Sequence, residues 1–157
     1  MGAAALLAVT PLASCSGGGS GGSSSESVFN VKTGQCFTTP LKVKAELSSL
    51  HRVSCASPHT QESYAVVPYQ ASAAQLASGA PDSGAYPGAD ALTQFAKGAC
   101  AQRFGGYVGR DYLDSSLFFT YLLPSARSWE QEDDRTILCF ITTTGGTLTN
   151  SVRDSRK

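Results

Sequence analysis

The sequence predicts an α+β domain: a mostly antiparallel sheet with one main helix packed across it, stapled by two disulfides. Three observations predict it. Short β-type runs stand at both ends of the chain, the one long helical pattern lies between them, and no βαβ rhythm repeats. The run RTILCFITT (135–143) is apolar on both faces, as an interior strand is. Once Cys15 is set aside, Cys36, Cys55, Cys100 and Cys139 remain, an even number that reads as a disulfide framework in an exported domain.

The N-terminal stretch is the reason for expecting export. Residues 1–25 carry no charged side chain. MGAAALLAVTPLASC is an apolar run ending in small residues, and SGGGSGGSSS follows at once. The run is shorter than the ~20 apolar residues of a membrane span, so it reads as a signal peptide. A buried core element is disfavoured because the Gly/Ser linker leaves it nothing to pack against. LASC resembles the lipobox of bacterial lipoproteins, which implies that Cys15 becomes the lipidated N-terminus after cleavage. One departure from that pattern is the lack of Lys or Arg before the apolar run. N-myristoylation is excluded, since Leu6 stands where Ser or Thr is required.

The implied organisation is a lipoprotein signal peptide at 1–14, lipidated Cys15 with a Gly/Ser tether at 15–27, a folded domain at 28–150 and a polar tail at 151–157 that frays. Buried acyl chains contribute about 0.8 kcal/mol per CH₂, and two or more give stable anchoring. A random-coil tether of this length reaches about 15–20 Å. The expected location is therefore the outer face of the cytoplasmic membrane. Net charge is zero and no long basic stretch occurs, which argues against nucleic acid as a partner.

Four cysteines allow three connectivities, and spacing alone does not select one. The expected pairs are Cys36–Cys55, which closes a modest local loop, and Cys100–Cys139, which joins the helix to a strand. There is no CxxC for a redox pair or zinc ribbon. CASPH (55–59) has Pro58 where c-type haem attachment needs its second Cys.

Along the domain, SVFNVKTGQCF (27–37) reads as an edge strand or arm entering a TGQ turn. In LKVKAELSSLHRVSC (41–55), Leu41, Val43 and Ala45 alternate with charged residues, as in a half-exposed strand. SYAVVPY (63–69) is a β-type run stopped by Pro68, and 70–88 is mostly loop with a short helix around Ala73 to Leu76. Residues 89–109 form the main helix: Asp90 is the candidate N-cap, Leu92, Phe95 and Ala99 share a face, and Gly105-Gly106 end it. Gly98 inside it costs about 1 kcal/mol against Ala, so close packing is expected there. SLFFTYLLP (116–124) is an uncharged strand. SARSWEQEDD (125–134) is a short helix capped by Ser125 and anchored by Trp129, and TGGTLT (144–149) is a hairpin turn with a last short strand.

VKTGQCF (31–37), VSCASPHTQE (53–62), AYPG (85–88), YVGRDY (107–112) and PSARSWEQEDDRTILC (124–139) follow one another in order. Together they resemble the septum-formation domain of actinobacterial envelope proteins, over about residues 28 to 150. The ordered pair of blocks, Cys-x-x-Pro-His-x-x-Glu and then Trp to Asp-Arg to Cys, is the specific part. The chain departs from the pattern at Asp133, where Gly is expected before Asp134-Arg135, and in a longer 68–85 segment. The resemblance implies a role near the division septum and no established reaction.

His59 and Glu62 are the residues of chemical interest. A His-x-x-Glu pair on a helix would offer two metal ligands or a general base. Pro58 favours a turn instead, and two ligands are too few for tetrahedral zinc. The expectation is a disulfide-anchored turn whose His bonds backbone, with no catalytic residue, metal or cofactor. The acids of EQEDD (130–134) are expected on a solvated face, with Asp134-Arg135 as a structural ion pair. Tyr86, Tyr107, Tyr112 and Tyr121 are expected in the core rather than on a binding face. The functional expectation is a non-catalytic, lipid-anchored domain that binds a partner in septum formation or envelope assembly. The alternatives are a ligand-binding envelope sensor and a small hydrolase using His59 and Glu62.

Overall fold

The computed structural model describes residues 23–38, 47–71 and 84–157, with Met1 and Leu76 as isolated positions. Cys15, most of the tether, the alternating part of 41–46 and most of the 70–88 loop lie outside the described residues.

Six strands form one antiparallel sheet in the order β1-β3-β2-β4-β6-β5. They are β1 (Ser24–Ser27), β2 (Cys36–Thr38), β3 (Ser49–Val53), β4 (Gln61–Pro68), β5 (Phe118–Leu122) and β6 (Thr136–Thr142). Helix α1 (Ala89–Val108) crosses one face, against β4, β5 and β6, and the short α2 (Ala126–Gln131) connects β5 to β6. This is the α+β architecture that the sequence predicts.

Strand β6 explains the layering. Ile137, Cys139 and Ile141 point to the α1 side and Leu138 and Phe140 to the other, and all five are buried. Leu92, Ala96, Cys100, Phe104 and Val108, at a spacing of four, supply the buried stripe of α1. Phe37 meets Phe140 edge-to-face at 5.9 Å in the smaller second core, with Val31 and Leu50. Both expected disulfides are present: Cys36–Cys55 ties β2 to the turn after β3, and Cys100–Cys139 ties α1 to β6.

The ends of α1 differ from expectation. Its N-cap is Gly88, and Asp90 sits in the first turn, where its charge suits the helix dipole. Gly105 and Gly106 are helical, and the helix stops at Gly109, whose φ of 80° places it in the left-handed region. Tyr107 and Val108 are buried in the last turn, and that packing outweighs about 1 kcal/mol of helix propensity per glycine. Gly98 has no close neighbour: a Cβ there would meet nothing within 4 Å. The α2 cap matches expectation. Ser125 accepts from Ser128 N–H at 2.9 Å, Ser128 Oγ reciprocates at 3.0 Å, and Trp129 is 1% exposed.

The N-terminal and C-terminal edges are corrected. The last four residues assigned to the tether form β1, paired with β3, while Val28–Asn30 is a 3-10 turn. SSES has no apolar alternation to signal a strand. The 144–149 strand reduces to one bridge between Leu148 and His59. The 151–157 tail does not fray. Val152 is 1% exposed, Asp154 N–H donates to Tyr107 O at 2.9 Å, and Arg156 N–H to Val108 O at 2.9 Å. Two carbonyls left open by the end of α1 are thus satisfied by the tail, which gives a polar segment a reason to dock.

Candidate functional site

His59 and Glu62 are both 0% exposed. Glu62 lies on β4, paired across the sheet with Cys36 on one side and Ile141 on the other. His59 precedes β4, held by two backbone hydrogen bonds with Leu148, at 2.9 and 2.8 Å. Its Nδ1 lies 2.8 Å from Ser57 O. A carbonyl only accepts, so Nδ1 carries a proton and Nε2 faces inward, 3.9 Å from Glu62 Oε2. Nε2 is buried with no hydrogen-bond partner among the described residues.

The Glu62 carboxyl is the hub. Tyr107 O–H donates to Oε1 at 2.5 Å, Ser151 O–H to Oε1 at 2.6 Å, and Val152 N–H to Oε2 at 2.8 Å. One buried acid therefore joins the sheet, the end of α1 and the tail, so the docked tail also satisfies Glu62. Burial pushes the Tyr107 hydroxyl up to about 12, helped by its hydrogen bond to Glu62 and by the negative charge there, with Arg153 opposing. The Arg153 guanidinium lies over the Tyr107 ring at 4.6 Å. Tyr107, Ser151 and Val152 were not singled out in the sequence as partners of Glu62. The burial of Glu62, seen in the structure, is what requires such donors.

Cys36 also belongs to this cluster. Ligand-capable atoms of Cys36, His59 and Glu62 all lie within 4.8 Å of one another. Cys36 Sγ is bonded to Cys55 Sγ, so the cluster as it stands offers two donor side chains.

Asp134 and Arg135 do different work from each other. The Asp134 carboxylate accepts from Ser128 O–H at 3.2 Å and Thr136 N–H at 3.0 Å, tying α2 to β6. Arg135 forms an ion pair with Asp133 at 3.1 Å and donates to the Asp134 backbone O at 3.2 Å. Arg135 also donates to Trp129 O at 2.6 Å and covers the Trp129 ring at 4.0 Å. The tyrosines form no common face. Tyr107 is in the core, Tyr86 stacks edge-on against Trp129 at 5.9 Å, Tyr112 packs on Phe119 at 4.7 Å, and Tyr121 is half-buried against the α1 core.

A groove, and the edge position of a strand already read as uncharged, emerge from the structure. A groove of about 840 Å³ is lined by apolar residues including Val28, Val66, Leu122 and Leu138, with polar Arg127 and Glu132. The other feature is β5, an outermost strand that pairs with β6 alone among the described residues. Its sequence, FFTYL, has no charge, and Phe118 is 42% exposed. Among the described residues no helix is long and apolar enough to cross a membrane.

The fold and its sealed polar cluster define a small disulfide-stapled α+β domain whose sheet ends, among the described residues, on the uncharged strand β5. The chain belongs to the septum-formation family, whose profile matches residues 33–156. That match takes in the docked tail as well as both disulfides. Comparison with curated proteins and with solved structures returned no match. Family membership points to a role in cell division or the cell envelope.

Proposed function

We propose that this is a non-catalytic domain, held at the outer face of the cytoplasmic membrane through lipidated Cys15, that binds an extended segment of a division or envelope protein along β5. The observation that carries this reading is the uncharged edge of β5, which pairs with β6 alone among the described residues. An edge strand presents a row of unpaired N–H and C=O groups, which most proteins blunt with charge or proline. A partner strand added there gains main-chain hydrogen bonds, and its alternate side chains can reach the adjoining groove. The hydrolase alternative loses support, because a general base must reach its substrate and both His59 and Glu62 are closed off.

The sensor alternative has one observation in its favour: the groove volume lies in the range of small-molecule sites. Two variants separate the readings. Phe118→Lys with Thr120→Lys charges the edge, and Val66→Trp fills the groove. Each is introduced into the full chain in cells lacking the wild-type copy, and septum spacing is scored with cross-linking from β5. The edge variant is expected to fold, to lose the cross-linked complex and to space septa abnormally. Loss with Val66→Trp alone would favour the sensor. Normal septa and an unchanged complex in the edge variant would overturn the β5 reading.

A further inference from the structure

We propose that opening the Cys36–Cys55 disulfide converts the buried cluster into a four-ligand site for a zinc-type divalent cation, formed by Cys36 Sγ, Cys55 Sγ, His59 Nε2 and Glu62 Oε2. Two sulfurs, an imidazole nitrogen and a carboxylate oxygen are a donor set that suits zinc in tetrahedral geometry. The cluster brings together the two ligands whose absence made His59 and Glu62 too few. Cys36 Sγ, His59 and Glu62 already lie within 4.8 Å of one another. Cys55 Sγ is bonded to Cys36 Sγ. Zinc ligand atoms sit roughly 3.3–3.8 Å apart in a tetrahedral shell, so Cys36, His59 and Glu62 need to close by about 1 Å, and the Cys55 sulfur, once released from Cys36, has to swing in as the fourth donor.

The orientation of the donors is the stronger argument. His59 Nε2 is buried, has no hydrogen-bond partner among the described residues, and lies 3.9 Å from Glu62 Oε2. Its other nitrogen donates to Ser57 O, the arrangement that presents Nε2 to a metal and fixes the tautomer. Glu62 Oε1 takes the Tyr107 and Ser151 hydroxyls, while Oε2, on the His59 side, takes Val152 N–H alone among the described residues. Metal-ligating carboxylates are held by such outer hydrogen bonds.

Access selects this bridge over the other. Cys55 is half-buried in a turn, whereas Cys100 and Cys139 are both 0% exposed. A dithiol reductant supplies two electrons and two protons. Its thiols become a disulfide, and Cys36 and Cys55 become thiols. Cation binding then displaces those two thiol protons to solvent as the two metal–sulfur bonds form.

The test uses the full chain, reduced with dithiothreitol and desalted without oxygen, against the oxidised chain. Zn²⁺ is measured by equilibrium dialysis, and Co²⁺ by its thiolate charge-transfer and tetrahedral absorption bands. The reduced chain is expected to bind one Zn²⁺, to gain several degrees in Tm with it, and to give a tetrahedral Co²⁺ spectrum. Cys55→Ser, at a turn where the fold is least at risk, is expected to weaken binding by tenfold or more, and His59→Gln likewise. Cys100→Ala with Cys139→Ala is expected to leave it unchanged. Equal binding by the oxidised chain, wild-type affinity in Cys55→Ser, or a Tm that Zn²⁺ does not raise would each overturn the proposal.

Discussion

Tyr107 shows how a single hydroxyl is committed to the fold. It donates to Glu62 at 2.5 Å inside the core, where water does not replace it. Tyr107→Phe leaves that carboxyl one donor short, and the expected cost is about 1–3 kcal/mol in urea unfolding near neutral pH. A second consequence appears at high pH. The folded-state pKa of about 12 stands above the usual 10.0 because burial, and then Glu62, disfavour the phenolate. Between those values the unfolded chain loses the proton and the folded chain keeps it. The contribution is therefore complete below pH 10 and is lost as pH rises through about 12. Burial raises Tyr64 in the same direction, so an alkaline decline persists in the variant. Unfolding midpoints from pH 8 to 12 are expected to fall less steeply in Tyr107→Phe than in wild type. Identical slopes would mean that Tyr107 titrates normally in the folded protein.

The glycines of α1 test what ends and what weakens an element. Gly98 is exposed and helical with open space around it, so Gly98→Ala is expected to stabilise by about 1 kcal/mol. Gly109 has a φ of 80°, and an added Cβ would lie 3.3 Å from Arg156 Cγ in the docked tail. Gly109→Ala is expected to destabilise by about 1–2 kcal/mol. Thermal unfolding of the two variants should move in opposite directions; two shifts of the same sign would show that the tail, not the helix stop, sets the local energetics. This contrast also marks what could be read in the sequence. Periodicity placed α1, the Ser125 cap, Trp129 and the doubly apolar β6, because each is a local pattern. The end of α1 was misplaced because four glycines lie between 98 and 109, and only tertiary packing of Tyr107 and Val108 says which one stops the helix. The tail and β1 were missed for the same reason: SVRDSRK and SSES are polar, and their pairing partners are distant in sequence. Asp133, by contrast, was marked in the sequence as a departure. Its φ of 52° puts the loop in the left-handed conformation that Gly favours, although the residue there is Asp. The candidate cluster was half legible, since His59 and Glu62 stood out by residue type, while Cys36 and Tyr107 reach them only through sheet register and helix packing.

Across the whole molecule the two disulfides hold different halves. Helix α1 lies on β4, β5 and β6, and Cys100–Cys139 fastens it there. The β1-β3-β2 half joins β4 through a narrow seam, with Cys36 opposite Glu62 and Phe37 opposite Gln61. Gly34 N–H to Ser63 O at 2.6 Å and Thr60 N–H to Phe37 O at 3.0 Å reinforce it. Cys36–Cys55 closes the loop that contains β3. Sequence separations of 19 and 39 give about 3 and about 4 kcal/mol in the loop-entropy account, so total stability alone would barely tell the bridges apart. Location would, because a structure with a narrow seam opens in parts. Cys36→Ala with Cys55→Ala is expected to speed amide hydrogen exchange in β1 and β3, with α1 and β6 changed much less. Cys100→Ala with Cys139→Ala is expected to speed exchange in α1 and β6 by the full loss of global stability. If the first pair accelerated every strand and the helix equally, the sheet would be one cooperative unit, and the seam beside Glu62 would be no weaker than the rest.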